Sequence, residues 1–76
     1  MTGEELRKLA EIRDRCSSGE ARRLRRRLQI SLSEIAGAVP TSETNVYRWE
    51  TGERMPRGEL ALRYGAVLEE LERGDS

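Results

Sequence analysis

The stretch from Glu43 to Glu50, ETNVYRWE, carries an unusual density of side chains with chemistry to offer. Glu43 only accepts hydrogen bonds, Thr44 and Tyr47 donate and accept, Asn45 does both through one amide, and Arg48 presents a planar fork of donors. On a helix, Glu43, Thr44, Tyr47 and Arg48 share one side with Asn45 at its flank, while Val46 and Trp49, three residues apart, share the other. Polar groups of differing length on one exposed helix face are what reading the base edges of a DNA groove requires. In that setting Glu43 would accept from a cytosine amino group or act against other bases. The competing reading of Glu43 is a helix that no longer meets DNA. Trp49, beside Val46, reads as core.

Other chemistries lack their residues. There is no histidine and one cysteine, Cys16, so a zinc site and a catalytic acid–base pair near neutral pH have no candidates. No Gly-rich phosphate loop is present. The acids Glu69, Glu70 and Glu72 read as a solvated helix end, not a magnesium cluster. The expectation is a protein that is not an enzyme and has no cofactor, metal or small-molecule ligand.

Presenting such a face requires short helices set by strong punctuation. Thr2 or Gly3 opens a leading helix over residues 2–16, with Leu6, Leu9, Ile12 and Cys16 at helical spacing. Those apolar positions serve packing on the domain, with a second copy of the chain as the rival use. Ser17 with Glu20 has the form of a capping box for a second helix that runs to about Leu28. Its inward residues are Ala21, Leu24 and Leu28. Ser31 with Glu34 repeats the box for a third helix, buried through Ile35 and Val39, that Pro40 stops at Val39. Ser42 caps the fourth helix, 43–50, and Gly52 closes it. After Pro56 comes a last helix over 57–72, with Leu60, Tyr64, Val67, Leu68 and Leu71 inward and Leu62 off that face. The tail from Arg73 is expected to fray.

Composition sets the scale. In 76 residues 36% are apolar, none is Phe and 37% are charged, so one small all-α domain is expected, with a few large residues carrying its core. No run is long enough to span a bilayer, and no signal peptide is recognisable, which places the chain in the cytoplasm, with the nucleoid. Net charge is zero, but residues 17–30 hold five arginines against Glu20, while residues 31–56 and 57–76 are each net acidic. Local patches outweigh the sum, because charges are screened beyond ~8–10 Å. The cluster Arg22, Arg23, Arg25, Arg26 and Arg27 is read either as a solvated helix face or as a track for a DNA backbone.

Two short helices about a three- or four-residue turn form a helix-turn-helix. The sequence resembles the lambda repressor and Cro-like helix-turn-helix family of phage and bacterial DNA-binding proteins over roughly residues 21–71. The resemblance rests on Leu24-Arg25, Ile30-Ser31, Glu34-Ile35-Ala36, the run from Ser42 to Glu50, and Gly52 with Pro56. It implies a compact five-helix domain containing a helix-turn-helix over 31–50, whose helix 42–50 enters the major groove. It further implies base reading by Glu43, Thr44 and Arg48, phosphate or groove-wall contacts from Ser42, Asn45, Tyr47, Arg54 and Arg57, and a structural ion pair between Arg25 and Glu50. Three positions depart from the pattern. Pro40 stands where a turn Gly is usual, Thr41 replaces an apolar turn residue, and Leu32 replaces a phosphate-gripping Gln and is expected to be exposed.

The resulting expectation is a single domain, 1–76, that binds double-stranded DNA sequence-specifically and represses transcription by occupying an operator, as a possible homodimer on a palindromic site. The alternatives are a protein-interaction module or antitoxin on the same fold. An excisionase-like recombination factor would need a β-wing after Pro56, where residues 58–72 read as helix.

Overall fold

The computed structural model describes residues 1–75, which form five α-helices and no strand. They are α1 (Gly3–Ser17), α2 (Glu20–Arg27), α3 (Leu32–Ala38), α4 (Glu43–Thr51) and α5 (Gly58–Asp75). The core gathers Ile12 and Cys16 of α1, Ala21 and Leu24 of α2, Ile35, Ala36 and Val39 around α3, Val46 and Trp49 of α4, and Tyr64 and Leu68 of α5. The large members count heavily, as the composition required. Trp49 and Tyr64 meet with ring centroids 4.9 Å apart at 42°, within the favourable range for aromatic pairs. Truncating Trp49 to Ala would cost about 3–5 kcal/mol.

The leading helix is integral. Thr2 and Glu5 form a reciprocal capping box at its start, and Leu9, Ile12 and Cys16 are buried. It packs against α5, α2 and α4. The approach to α5 is close because position 65 has no side chain. A Cβ there would overlap the end of the Ile12 side chain. Leu6, expected to pack inward, is instead 55% exposed. On α5 Tyr64 and Leu68 are buried and Val67 and Leu71 pack against the core as expected, but at the helix start Ala61 is buried and Leu60 lies at the surface. The residue facing the core at the start of α5 must be small, since it is fully covered.

The helix starts behave as their side chains dictate in three of four capped cases. Ser31 with Glu34 forms the second capping box, and the Ser42 hydroxyl accepts from the Asn45 N–H at 3.1 Å. The Ser17–Glu20 box does not form. Ser17 is the last residue of α1, and Gly19, left-handed at φ 81°, occupies the cap position of α2. Reversing the chain between two packed helices needs that left-handed residue, which Ser17 cannot supply. Instead the Glu20 N–H donates to the Ser18 hydroxyl at 3.3 Å. The last helix also runs on to Asp75, so residues 73–75 are helical where fraying was expected, Ser76 lying outside the described residues, and Arg27 reaches Asp75 in an ion pair. Leu32 and Leu62 are both half-buried, not exposed, Leu32 against the core.

Two helix ends share a Schellman pattern, in which the residue after the C-cap takes positive φ. At the end of α2, Gln29 does so at φ 58°, while Ile30 N–H donates to Arg25 O and Gln29 N–H to Arg26 O. At the end of α3, Thr41 N–H donates to Ala36 O at 2.9 Å, and the positive-φ seat falls on Pro40, at φ 22°. The ring prefers φ near −65°, so the corner is not made with the fixed proline angle expected from sequence. Pro40 also lacks the N–H for the second closing bond.

Gln29 is exposed and left-handed, so its backbone conformation favours glycine and no side-chain packing opposes the change. Gln29→Gly is expected to stabilise the domain by about 0.5–1 kcal/mol, because relief of the left-handed penalty outweighs the added freedom of the unfolded chain. Urea denaturation measures it, and a lower midpoint at unchanged slope would contradict the assignment.

Candidate nucleic-acid interface

The four-residue turn 39–42 joins α3 to α4, and these two helices pack mainly on each other. Ile35, Ala36 and Val39 on one side and Val46 and Trp49 on the other are buried. Small Ala36 permits the close crossing. Burial of Val46, Trp49 and Glu50 fixes the rotation of α4 about its axis, and everything opposite is thereby turned outward.

On that outward side Glu43, Thr44 and Tyr47 are exposed, Tyr47 by 52%. Arg48 is half-buried along its stem. Ser42 and Asn45 lie at the N-terminal edge and are partly engaged at home. The Ser42 hydroxyl caps the helix, and Asn45 Nδ2 donates to Thr41 Oγ1 at 3.0 Å. Thr41 is therefore a polar strut of the turn that holds the Asn45 amide. Arg54 and Arg57 are exposed, on the loop after α4 and immediately before α5. Among the described residues, Arg48, Arg54 and Arg57 make no ion pair with a carboxylate.

Behind this face sits a polar joint. Arg25 of α2 grips Glu50 of α4 with Nε–Oε2 at 2.6 Å and Nη2–Oε1 at 3.0 Å, and its Nη1 donates to the Ile30 carbonyl at 2.8 Å. Glu50 is 2% exposed and Arg25 13%. The hydrogen bonds to Glu50 hold the guanidinium pKa above its ordinary value against the opposing effect of burial. This fork-on-fork geometry makes Arg25 and Glu50 a structural pair with no spare capacity for an outside ligand.

Two more ionisable groups lie near Glu50. Burial pushes the Cys16 thiol up to about 11, with the Glu50 charge adding to the effect, so the thiol stays protonated and unreactive. Burial likewise raises Tyr64, whose hydroxyl has no hydrogen-bond partner among the described residues. That lone hydroxyl was not foreseeable from helical spacing, which shows only that Tyr64 faces inward. The same holds for the Thr41–Asn45 bond.

No helix among the described residues is long and apolar enough to cross a membrane. No protein-family model, curated protein or solved structure matches the chain.

Two outcomes test the joint. Glu50→Ala strands a mostly buried guanidinium and is expected to cost about 3–5 kcal/mol in denaturant unfolding; a cost below about 1 kcal/mol would mean Arg25 finds water freely. Tyr64→Phe removes a buried hydroxyl that has no partner, so stability should stay the same or rise by about 1 kcal/mol. A clear loss in thermal melting would show that the hydroxyl is satisfied in solution.

Proposed function

We propose that this protein is a sequence-specific DNA-binding regulator of the lambda repressor and Cro-like helix-turn-helix class, acting as a repressor by occupying an operator. In this reading α3 and α4 are the helix-turn-helix, and α4 lies in the major groove. Arg48 donates its fork to guanine O6 and N7, Thr44 serves either role, and Glu43 accepts from a cytosine amino group or repels bases that offer only acceptors. Ser42, Asn45, Tyr47, Arg54 and Arg57 hold phosphates or line the groove wall.

The observation that carries this reading is the sorting of α4 into two faces. Val46, Trp49 and Glu50 are buried, and the hydrogen-bonding residues of the same nine-residue helix are left outward together. A helix serving only as scaffold has no need of Thr, Tyr and Arg at three- and four-residue intervals on its free side. That Arg48, Arg54 and Arg57 have no carboxylate among the described residues supports it further. Some arginines elsewhere, at positions 15, 25, 27 and 63, are matched to a carboxylate, so these three are among the cations left available to an outside anion. The reading makes binding steric and one-sided, with occupancy set by protein concentration or by a partner.

Selection from a random duplex pool tests it directly. A recovered motif whose affinity falls steeply with salt is expected; its symmetry distinguishes monomer from dimer, and no enrichment at low salt would refute the proposal. On the winning duplex Arg48→Ala should lose about 1–3 kcal/mol of binding free energy and relax preference at one base pair. Equal affinity and equal preference would remove Arg48 from the reading set.

A further inference from the structure

The arginines of α2 are not one cluster. Helical geometry divides them into two edges with different surroundings. Facing α5, Arg27 pairs with Asp75, and Glu20, Arg23, Arg27 and Glu72 line one shallow surface depression, so acids and bases are interleaved. Arg15 joins that network through Glu72 and Glu20. The other edge is defined by Arg25, which points at Glu50 of α4. At 3.6 residues per turn, Arg22 and Arg26 lie about 60° and 100° around the helix from Arg25, on the side away from α5. They line a separate depression of about 430 Å³ with Gly19 and Arg23.

That depression contains no carboxylate. Arg23 is turned to the Ser18 carbonyl, at 3.2 Å, leaving Arg22 and Arg26 with no ion pair among the described residues. Several cations on other solvated faces of this protein have an acid within a helical turn. Lys8 has Glu4, Arg63 has Glu59 and Arg73 has Glu70 at three- or four-residue spacing. Arg22 and Arg26 are instead like charges at i and i+4, an arrangement that destabilises a helix unless an anion offsets it. The positions three and four residues before Arg22 and after Arg26 hold Gly19, Ser18, Gln29 and Ile30, so no local acid can approach.

We propose that Arg22 and Arg26 form a second phosphodiester-binding site, which grips the DNA backbone beside the groove that α4 enters. This rests on the duplex-reading proposal above and adds to it an anchor outside the α3–α4 unit. Three features fit a nucleic-acid backbone better than an acidic protein. Arg22 and Arg26 rise from one helix edge about 6 Å apart along its axis, so both can meet the closely spaced phosphates of one strand. The depression is open and lined by arginine stems and a glycine, with no buried apolar anchor of the kind a protein partner fills. Arg22 and Arg26 lie around the α2 axis in the direction of Arg25, which pairs with Glu50 of α4, and away from the acids of α5.

The test is the salt dependence of binding to the selected duplex and to a scrambled duplex. Arg22→Gln with Arg26→Gln should lower the log–log salt slope by about 1.8, since each phosphate left without its arginine removes about 0.9. Specific and scrambled binding should weaken by the same factor, leaving their ratio as in the wild type. Arg7→Gln with Arg13→Gln removes equal charge from α1 and should leave the slope unchanged. Both variants alter exposed side chains, and a thermal melt establishes that each is folded. A double variant with the wild-type slope would overturn this site while leaving the α4 reading intact. An equal drop of slope in the α1 control would overturn it too, as a bulk charge effect. A wild-type protein that binds no duplex would overturn the functional reading and this site with it.

Discussion

The arrangement of this domain hangs on the bidentate bond between Arg25 and Glu50. Twenty-five residues apart in sequence, they tie α2 to α4, and the third arm of the same guanidinium fixes the Ile30 carbonyl where the chain turns into α3. One side chain thus sets three elements. Burying a charge pair is costly unless every donor and acceptor is satisfied, and here both carboxylate oxygens and all three guanidinium nitrogens are engaged. In a core of so few large residues, such a joint reinforces the rotation that burial of Val46 and Trp49 gives a nine-residue helix. Without that rotation the outward set on α4 would have no fixed direction.

Around the joint the packing is economical. Trp49 and Tyr64 fill the space between α4 and α5, and Cys16 and Leu24 close it from α1 and α2. The bare position at Gly65 lets α1 settle against α5. The first helix is consequently as much a wall of the core as the last. Its removal would expose the surfaces of α2, α4 and α5 that it now covers.

Much of this was legible in the sequence where a residue type has one dominant local use. Ser31 with Glu34, Ser42 before an apolar-periodic run, and Gly52 after it mark helix ends by the hydrogen bonds they alone can make there. Inward faces were readable at Val46, Trp49, Tyr64 and Leu68. The misreadings came where two positions compete for one role. Ser17 and Gly19 could each begin α2, and tertiary reversal selected the glycine over the capping box. Leu60 and Ala61 could each face inward, and the tight seat took the smaller. Nor could spacing show that Asn45 leans on Thr41, or that the arginines of α2 divide between paired and unpaired edges. Those depend on which helix lies alongside, and that is set by the whole fold.

The segregation of charge has a dynamical consequence. A molecule whose charges sum to zero feels little net pull in the field of a distant polyanion, yet with acids gathered around α5 and unmatched arginines elsewhere it carries a dipole. A dipole in a non-uniform field experiences torque first and attraction only when aligned. Under the duplex-binding proposal such a chain would be turned before it is drawn in, and an approach in the wrong orientation would meet repulsion instead of a sticky encounter. Orientation, more than capture radius, would then govern how often an encounter becomes a complex.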